Sequence, residues 1–312
     1  MEMKDWAYEE FPAFDEDVPG AIWLDTTGDE VGVTYVSDVE YECVDGVSRV
    51  LQILIPRSRN AKLAALDAST ARTYPCVVFV QGSGWMKQDV YRNVPCIARL
   101  AERGYVVAIV EYRDSTITSF PAPVQDARNA VRFMRVHAAE YAVDPTRVAV
   151  MGDSSGGHTA VYAGILHDDD TPANLFPGVS AEVSCIVNYY GSTDFTFEDS
   201  NPSTPNHNLP DSPEGMEMGG IDLREDRAAR EQLSVRCNVR RDTAIAPVLT
   251  IHGTKDRIVN ARCSVLLHQR LKETDHESHL YLLRGADHGG PEFWTPEVLD
   301  IVVAFLREHL SA

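Results

Sequence analysis

A serine at a sharp strand-to-helix junction is the part of this sequence best suited to chemistry. An apolar run over residues 147–151 leads into Gly152-Asp153-Ser154-Ser155-Gly156, and a helical pattern follows. This is the pattern G-x-S-x-G, in which glycines two residues either side of the serine avoid collisions at a tight turn. The turn would expose the Ser154 hydroxyl above a helix N-terminus, which favours negative charge. The pattern therefore predicts that Ser154 is a nucleophile. The alternative is a glycine-rich turn that is needed only for helix–strand packing.

A serine hydroxyl becomes a useful nucleophile only with a base and an acid that orients the base. A strand pattern over Val248–Ile251 precedes a loop carrying Asp256, and one over His279–Leu283 precedes a loop carrying His288. Both loops lie past the carboxyl ends of strands, where sheets of this kind place their sites. We predict that His288 is the general base and Asp256 its orienting acid.

Other histidines and acids are weaker candidates. His252 follows its strand directly and is expected to hydrogen-bond the turn, and His158 lies four residues after the serine and is expected to be buried. Asp194, the alternative acid, precedes an irregular segment that it would brace. His276 and His279 could form a metal pair, but no third ligand is near them, so no metal is predicted.

The glycine-rich stretch Gln81-Gly82-Ser83-Gly84-Trp85 offers a second chemical element. Acyl transfer passes through a tetrahedral oxyanion, which needs fixed backbone N–H groups, each worth ~3 kcal/mol. One comes from the residue after the nucleophile, Ser155, and the rest come from a loop after an earlier strand. The stretch follows the strand pattern Cys76–Val80, and its small residues let the backbone approach closely. We therefore predict that it forms part of an oxyanion hole.

The elements that would position these residues alternate along the chain. Six short apolar runs predict buried strands, over residues 76–80, 105–110, 147–151, 183–189, 248–251 and 279–283. Helical patterns cover residues 94–103, 123–141, 154–167, 222–237, 260–274 and 296–310. Two period-two runs, Val31–Cys43 and Val47–Ile55, precede them and predict a hairpin joined at residues 44–46. The pattern predicts an α/β fold: a mostly parallel eight-stranded sheet with an N-terminal antiparallel hairpin and helices on both faces.

We predict a single domain over residues 1–312, because α/β folds often exceed ~250 residues as one domain. Residues 1–30 are acidic and aromatic and are expected to form an N-terminal arm over the body. Residues 195–220 contain four prolines, five acidic residues and no lysine or arginine. A loop of that length between a strand and a helix is usually a functional lid or disordered, so we predict a lid-like insertion.

The net charge of the chain indicates which binding partners are unfavourable, and its cysteines indicate the redox state of its cellular compartment. The chain has 28 Lys and Arg against 47 Asp and Glu, for a formal charge of −19, which argues against nucleic acid and anionic membranes. The amino-terminal residues do not resemble a signal peptide, and no stretch approaches the ~18 apolar residues of a membrane span. Six scattered cysteines suggest reduced thiols, so a cytoplasmic protein is expected. The oligomeric state is left open, a homo-oligomer included.

The sequence resembles the α/β-hydrolases, specifically the esterase branch related to hormone-sensitive lipase and to bacterial feruloyl-esterase-like (BD-FAE) enzymes. The likeness covers roughly residues 70–310, including all of 111–158 and the stretches "NYYGSTDF", "IHGTKDRIV" and "GADHGG". The resemblance implies a hole formed by the N–H groups of Ser83, Gly84 and Ser155, with Trp85 and Gln81 lining the substrate pocket. In that branch a histidine stands where this chain has Gln81, and a glycine where it has Ser83.

The resemblance further implies a serine carboxylesterase that hydrolyses small acyl esters through an acyl-enzyme, without a cofactor. Its substrate would be a small-molecule or oligosaccharide ester, including acetyl or feruloyl groups on saccharides derived from plant polysaccharides. One alternative is an amide hydrolase of the kynurenine formamidase type, whose relatives share a similar glycine-Trp turn. The other is a hydrolase fold reused as a non-catalytic binding protein, since fold alone does not establish activity.

Overall fold

The computed structural model describes residues 4–44, 46–64, 72–167, 173–196 and 202–311. Asp45 of the predicted hairpin turn and residues 197–201 of the predicted insertion lie outside these ranges. The strands are β1 (Gly32–Val44), β2 (Val47–Arg57), β3 (Tyr74–Val80), β4 (Val106–Val110), β5 (Val143–Asp153), β6 (Ile186–Tyr189), β7 (Val248–Gly253) and β8 (Ser278–Leu283).

These strands form one eight-stranded sheet in the order β1-β2-β4-β3-β5-β6-β7-β8. The β1–β2 and β2–β4 pairs are antiparallel, and the pairs from β4 through β8 are parallel. The predicted fold class is confirmed. Because β3 to β8 run in one direction, their carboxyl ends meet at one edge of the sheet, where the loops carrying the candidate site residues begin.

Helices cover both faces of the sheet. Their bounds within the described residues are α1 (Arg59–Ala64), α2 (Val94–Ala101), α3 (Ala122–Val136), α4 (Ser155–Ile165), α5 (Pro213–Glu217), α6 (Arg227–Leu233), α7 (Val235–Asn238), α8 (Arg262–Glu273) and α9 (Pro296–His309). Apolar side chains of α3, α4 and α8 pack in one core, and those of α2 and α9 pack in a second. Strands β3, β4 and β6 are buried almost throughout, as expected for strands with covered faces.

The predicted helix over residues 222–237 is wrong in two respects, because helical structure begins only at Arg227 and is divided at Ser234 into α6 and α7. Ser234 has an extended backbone, and its hydroxyl donates to the Arg230 carbonyl at 2.8 Å. The same hydroxyl accepts the N–H of Phe195 at 2.9 Å. A residue tied to the start of the insertion in this way cannot continue the helix. Two other boundaries also move, because β6 begins at Ile186 and α3 ends at Val136. The short helix α1 follows β2 in a segment for which the sequence predicted no element.

The insertion and the arm differ in how they contact the body. Within the insertion, α5 is capped by the Ser212 hydroxyl, which accepts the N–H of Gly215 at 3.0 Å. The large apolar side chains of the arm stay exposed instead of covering the sheet, among them Trp23 at 63%. The arm is attached near Gly28, whose carbonyl accepts the N–H of Asn60 at 3.0 Å. No helix in the described ranges combines the length and the apolar character needed to span a bilayer.

Candidate active site

Ser154 lies at the turn between β5 and α4, with φ 54° and ψ −126°. A positive φ is unusual for a residue with a side chain and indicates a constrained backbone. The flanking glycines make this turn possible, since a Cβ on Gly152 would come within 2.1 Å of the Gly156 carbonyl oxygen. A Cβ on Gly156 would come equally close to the Val80 carbonyl oxygen. The sequence pattern is therefore a consequence of close packing among β3, β5 and α4.

The structure brings Ser154, His288 and Asp256 together in one hydrogen-bonded chain. His288 Nε2 lies 2.8 Å from Ser154 Oγ, and His288 Nδ1 lies 2.7 Å from Asp256 Oδ2. The carboxylate is an acceptor, so Nδ1 carries the ring proton and Nε2 is free to accept the serine proton. This arrangement couples a hydroxyl to a base and the base to an orienting acid.

The two loops that supply the acid and the base are joined to each other. Asp256 follows β7 and His288 follows β8, and these neighbouring parallel strands end at the same edge of the sheet. Arg257 donates its backbone N–H to Asp287 at 3.0 Å, and its guanidinium reaches the same carboxylate at 2.5 Å. The ion pair is exposed, so its main effect is to fix the spacing of the loops.

The side chain of Asp256 is fully buried, and hydrogen bonds keep it ionised. Its Oδ1 accepts the backbone N–H groups of Ile258 at 2.9 Å and Val259 at 2.8 Å. Burial alone would raise the pKa of Asp256, but hydrogen bonds from His252 and His288 outweigh it and hold that pKa far below the usual range. The charge needed to stabilise a protonated His288 is therefore present.

His252 is buried and lies within hydrogen-bond distance of Asp256. It also bonds the turn after its strand, as expected from the sequence. Its Nε2 lies 3.1 Å from Asp256 Oδ2 and 3.0 Å from the Val259 carbonyl oxygen. Both are acceptors, so Nε2 carries the proton, and Nδ1 accepts from the Ser264 hydroxyl at 2.6 Å. Sequence reasoning missed this contact with Asp256, although the four-residue spacing across a strand-end loop was a signal for it.

The glycine turn after β3 lies against the serine. Gly82 donates its N–H to Asp153 Oδ1 at 2.8 Å, and a Cβ at Gly82 would come within 2.7 Å of Ser154 Cβ. Asp153 also accepts the Tyr190 hydroxyl at 3.3 Å, and burial raises its pKa. The residue preceding the serine thus ties the glycine turn to the serine turn.

The three predicted oxyanion-hole N–H groups are not equivalent. The N–H of Ser83 is donated to the Ser155 hydroxyl at 2.9 Å. The N–H of Gly84 has no acceptor among the described residues, and that of Ser155 begins α4, where an intrahelical acceptor does not exist. Ser83, Gly84 and Ser155 all line the same cavity as Ser154. Two N–H groups are therefore available to an oxyanion, and the third is engaged in supporting the turn.

Gln81 and Trp85 are both buried, with 2% and 1% of their surfaces exposed. The Gln81 amide donates to the Asp89 carbonyl at 2.7 Å, which places it beneath the glycine turn and away from the cavity. The Trp85 indole packs edge-on against His158 at 5.1 Å between ring centroids, so little of it is accessible from the cavity that it borders. The predicted lining role fits Gln81 poorly, because its side chain is used in supporting the turn.

The residues considered as alternatives have other partners. Asp194 accepts from Thr196 and pairs with Arg236, so it braces the start of the insertion. His158 lies 2.8 Å from the Leu233 carbonyl oxygen, and burial lowers its pKa to about 4. His276 and His279 contact Thr243 and Glu277 respectively.

Among the described residues, one group of potential metal ligands lies within 4.8 Å of one another: Glu277, Glu308 and His309. Glu277 precedes β8 at the amino end of that strand. The group therefore lies at the opposite edge of the sheet from the serine.

A cavity of about 620 Å³ opens above Ser154. Strand-end loops contribute Ser192, Gly289 and Trp294 to its lining, and the insertion contributes His207 and Glu214. Sequence reasoning predicted the insertion but did not identify these two residues. The only signal was their place in a segment with four prolines between a strand and a helix.

The sequence is similar to known esterases. Residues 65–271 match the BD-FAE family model, a range that includes Ser154 and Asp256 and ends before His288. The chain is 28% identical over 226 residues to esterase LipC of Mycobacterium tuberculosis, covering 69% of this chain and 53% of that one. It is 36% identical over 105 residues to carboxylesterase NlhH of Mycobacterium tuberculosis, a third of each chain. The chain spans about half the length of LipC and less of NlhH.

Solved structures share the fold. A truncated carbohydrate esterase from gut microbiota superposes with a TM-score of 0.76 at 24% identity, covering 92% of this chain and 99% of that one. Esterase Est2 of Thermogutta terrifontis gives 0.68 at 23% identity, covering 91% and 94%. At these identities the likeness shows the α/β-hydrolase fold. Since the family model covers more than half of the sequence, the chain belongs to the BD-FAE family.

Proposed function

We propose that this chain is a serine carboxylesterase that hydrolyses small acyl esters through an acyl-enzyme. The observation that carries the proposal is the hydrogen-bonded chain from Ser154 Oγ through His288 to Asp256, with contacts of 2.8 and 2.7 Å. Its serine stands on a left-handed backbone at a strand-to-helix turn. Similarity to LipC and NlhH, which are named as esterases, supports an ester as the substrate.

In the acylation step His288 Nε2 accepts the proton of the Ser154 hydroxyl as Oγ bonds to the ester carbonyl carbon. The carbonyl oxygen becomes an oxyanion, which accepts hydrogen bonds from the N–H groups of Gly84 and Ser155. Asp256 stabilises the imidazolium through Nδ1. Collapse of the tetrahedral intermediate breaks the bond to the alcohol oxygen, which takes the proton from Nε2 and leaves.

Deacylation repeats these steps with water in place of the serine. His288 Nε2 accepts a proton from water, whose oxygen bonds to the acyl carbon, and the same two N–H groups donate hydrogen bonds to the oxyanion. The Ser154 Oγ–carbon bond then breaks and Oγ regains a proton from Nε2. The products are the carboxylic acid and the free enzyme.

The substrate class proposed is an acetyl or feruloyl ester of a saccharide. Two observations support it: the structural likeness to a carbohydrate esterase, and a cavity of about 620 Å³, which is within the ~300–1,000 Å³ range of small-molecule sites. The alternative amide hydrolase would share the serine chemistry, so the two differ only in substrate.

The test measures hydrolysis of p-nitrophenyl acetate and labelling by a fluorophosphonate probe. Ser154→Ala should abolish labelling and lower kcat by ~10⁴-fold or more. Ser48→Ala, at an exposed serine of the amino-terminal hairpin, should match the parent chain. A Ser154→Ala enzyme within tenfold of the parent would refute the proposal.

A substrate panel separates the classes. Acetyl, butyryl, octanoyl and feruloyl esters, acetylated xylan and N-formylkynurenine would be compared by kcat/KM. The proposal expects an ester at the top of the order. Faster turnover of N-formylkynurenine than of every ester would replace it with the amide hydrolase.

A further inference from the structure

The insertion places a buried carboxylate in the wall of the cavity. Glu214, the second residue of α5, has 3% of its surface exposed and lines the cavity above Ser154. Its Oε1 lies 2.8 Å from His207 Nδ1. Its Oε2 is buried and has no hydrogen-bond partner among the described residues. A buried acceptor without a partner is costly, so this oxygen is suited to a ligand that donates a hydrogen bond.

The proton on the pair can be located from the neighbouring acceptors. His207 Nε2 lies 2.7 Å from the Ile258 carbonyl oxygen, so that nitrogen carries a proton. A further proton is then shared between Nδ1 and Glu214 Oε1, and the pair has no net charge in either arrangement. Oε2 is an acceptor in both arrangements. The pair therefore offers a hydrogen-bond acceptor with no net charge on the pair, which suits a neutral hydroxyl better than a cation.

The His207–Glu214 pair lies on the side of the cavity where the leaving alcohol is expected. His207 is held on Ile258, whose own N–H is donated to Asp256. The pair therefore belongs to the side of the cavity built by the loop of the orienting acid. His288, which protonates the leaving alcohol in the proposed mechanism, is held by the same acid. The alcohol part of the ester is expected to lie on this side.

Apolar residues line the cavity together with Glu214. Pro205, Pro213 and Ile258 line the cavity with it, and Pro213 Cβ lies 3.3 Å from where a Cβ of Gly84 would be. Apolar side chains beside a hydrogen-bond acceptor suit a sugar ring, which has C–H faces and a hydroxyl rim.

We propose that Glu214 Oε2 binds a hydroxyl of the alcohol part of the substrate, so that the enzyme selects esters of polyhydroxylated alcohols. The proposal rests on the proposed function, since it assigns the substrate side of that site. Glu214 is a binding residue here, and His207 positions it.

The first experiment alters the substrate and leaves the protein unchanged. The parent chain would be assayed on a monoacetylated methyl β-xyloside, its O-methylated analogue, cyclohexyl acetate and acetylcholine. The hydroxylated ester should exceed its O-methylated analogue at least tenfold in kcat/KM. Equal rates would overturn the proposal and leave the esterase function standing, and so would a preference for acetylcholine. No turnover of any ester, p-nitrophenyl acetate included, would overturn the proposed function and this subsite with it.

The second experiment uses two variants of Glu214. Glu214→Leu removes the acceptor and should lower kcat/KM at least tenfold on the xyloside ester, with less than a threefold change on cyclohexyl acetate. Glu214→Gln can turn its amide nitrogen to His207 and its oxygen to the cavity, so it should remain within threefold of the parent on both. An equal loss on both substrates in Glu214→Leu would indicate a structural role and overturn the proposal.

The matched control is Glu217→Gln, at a buried acid on the same helix outside the cavity lining. It should leave the ratio of the two rates unchanged. Midpoints of thermal unfolding would be recorded for each variant to separate loss of binding from loss of fold.

Discussion

The cavity has two walls that are built by different means. One consists of Ser154 and His288, with Asp256 buried behind them, and all three stand at the carboxyl ends of parallel strands. The other consists of His207 and Glu214 in the insertion, whose positions depend on side-chain contacts with Ile258 and on the capped helix α5. The first wall is fixed by the ladder of the sheet, and the second by a few local hydrogen bonds.

This difference assigns the two walls to different tasks. Groups that exchange protons must be held within a few tenths of an ångström, and a buried sheet provides that rigidity. Groups that bind the variable part of a substrate can stand on a loop, where sequence changes do not disturb the core. We therefore expect substitutions in the first wall to affect every ester alike, and those in the second to affect only some.

The largest effect is expected from Asp256→Asn, which should lower kcat on p-nitrophenyl acetate by ~10³–10⁴-fold. An amide nitrogen facing Nδ1 would favour the wrong tautomer of His288. Asp211→Asn, an exposed acid in the insertion, serves as the control and should be silent. A loss below tenfold would show that His288 does not depend on Asp256.

Gly82→Ala should have the next largest effect. The added Cβ would come within 2.5 Å of the Asp153 carbonyl oxygen, so the glycine turn must move away from the serine. Displacing an oxyanion donor is expected to lower kcat ~10²-fold on all esters. Gly32→Ala in β1, where the nearest atom would be 3.9 Å away, should match the parent. An unchanged kcat for Gly82→Ala would show that the glycine turn does not stabilise the oxyanion.

Substitutions of Gln81 test the support beneath the same turn. Gln81→His retains a side-chain N–H for the Asp89 carbonyl and should change kcat less than threefold. Gln81→Ala removes the hydrogen bond to that carbonyl, at a cost of ~0.5–1.5 kcal/mol, and should lower both kcat and the unfolding midpoint. If Gln81→His lowers kcat as much as Gln81→Ala does, the hydrogen bond to the Asp89 carbonyl is not the reason that Gln81 is needed.

Glu217→Gln should have the smallest effect on activity but a distinct effect on stability. Burial raises the pKa of Glu217 from 4.5 to about 8, so the folded protein holds a proton that the unfolded chain loses above pH 4.5. Stability is therefore lost as pH rises from about 4.5 to about 8. The variant should match the parent at pH 4 and unfold at a higher temperature at pH 9. A constant difference at both pH values would contradict this.

The residues of the first wall could be predicted from sequence because each follows an apolar strand pattern. Parallel strands bring their carboxyl ends together whatever the intervening sequence, so Ser154, Asp256 and His288 could be assigned without knowing the loops between them. The glycine turn after β3 was predictable for the same reason. Its hydrogen bond from Ser83 to the Ser155 side chain was not, because it depends on the packing of two turns that are 72 residues apart.

The second wall could not be predicted from local pattern. Helix α5 has five residues, too few for a periodic signal, and its place depends on contacts with loops far along the chain. The division of the predicted helix at Ser234 has the same origin, because the contact that ends α6 is made to Phe195. Sequence patterns report periodic burial, whereas these features are set by single long-range hydrogen bonds.

The carboxylate of Asp153 has a consequence for thermal motion. It accepts the N–H of Gly82 while its own backbone continues into Ser154, so the glycine turn and the serine are joined by one short rigid link. Fluctuations of the sheet then displace both together and leave the separation between them nearly constant. Catalytic spacing in this protein should accordingly persist on heating until the sheet itself unfolds, which a constant activation enthalpy up to the melting transition would reveal.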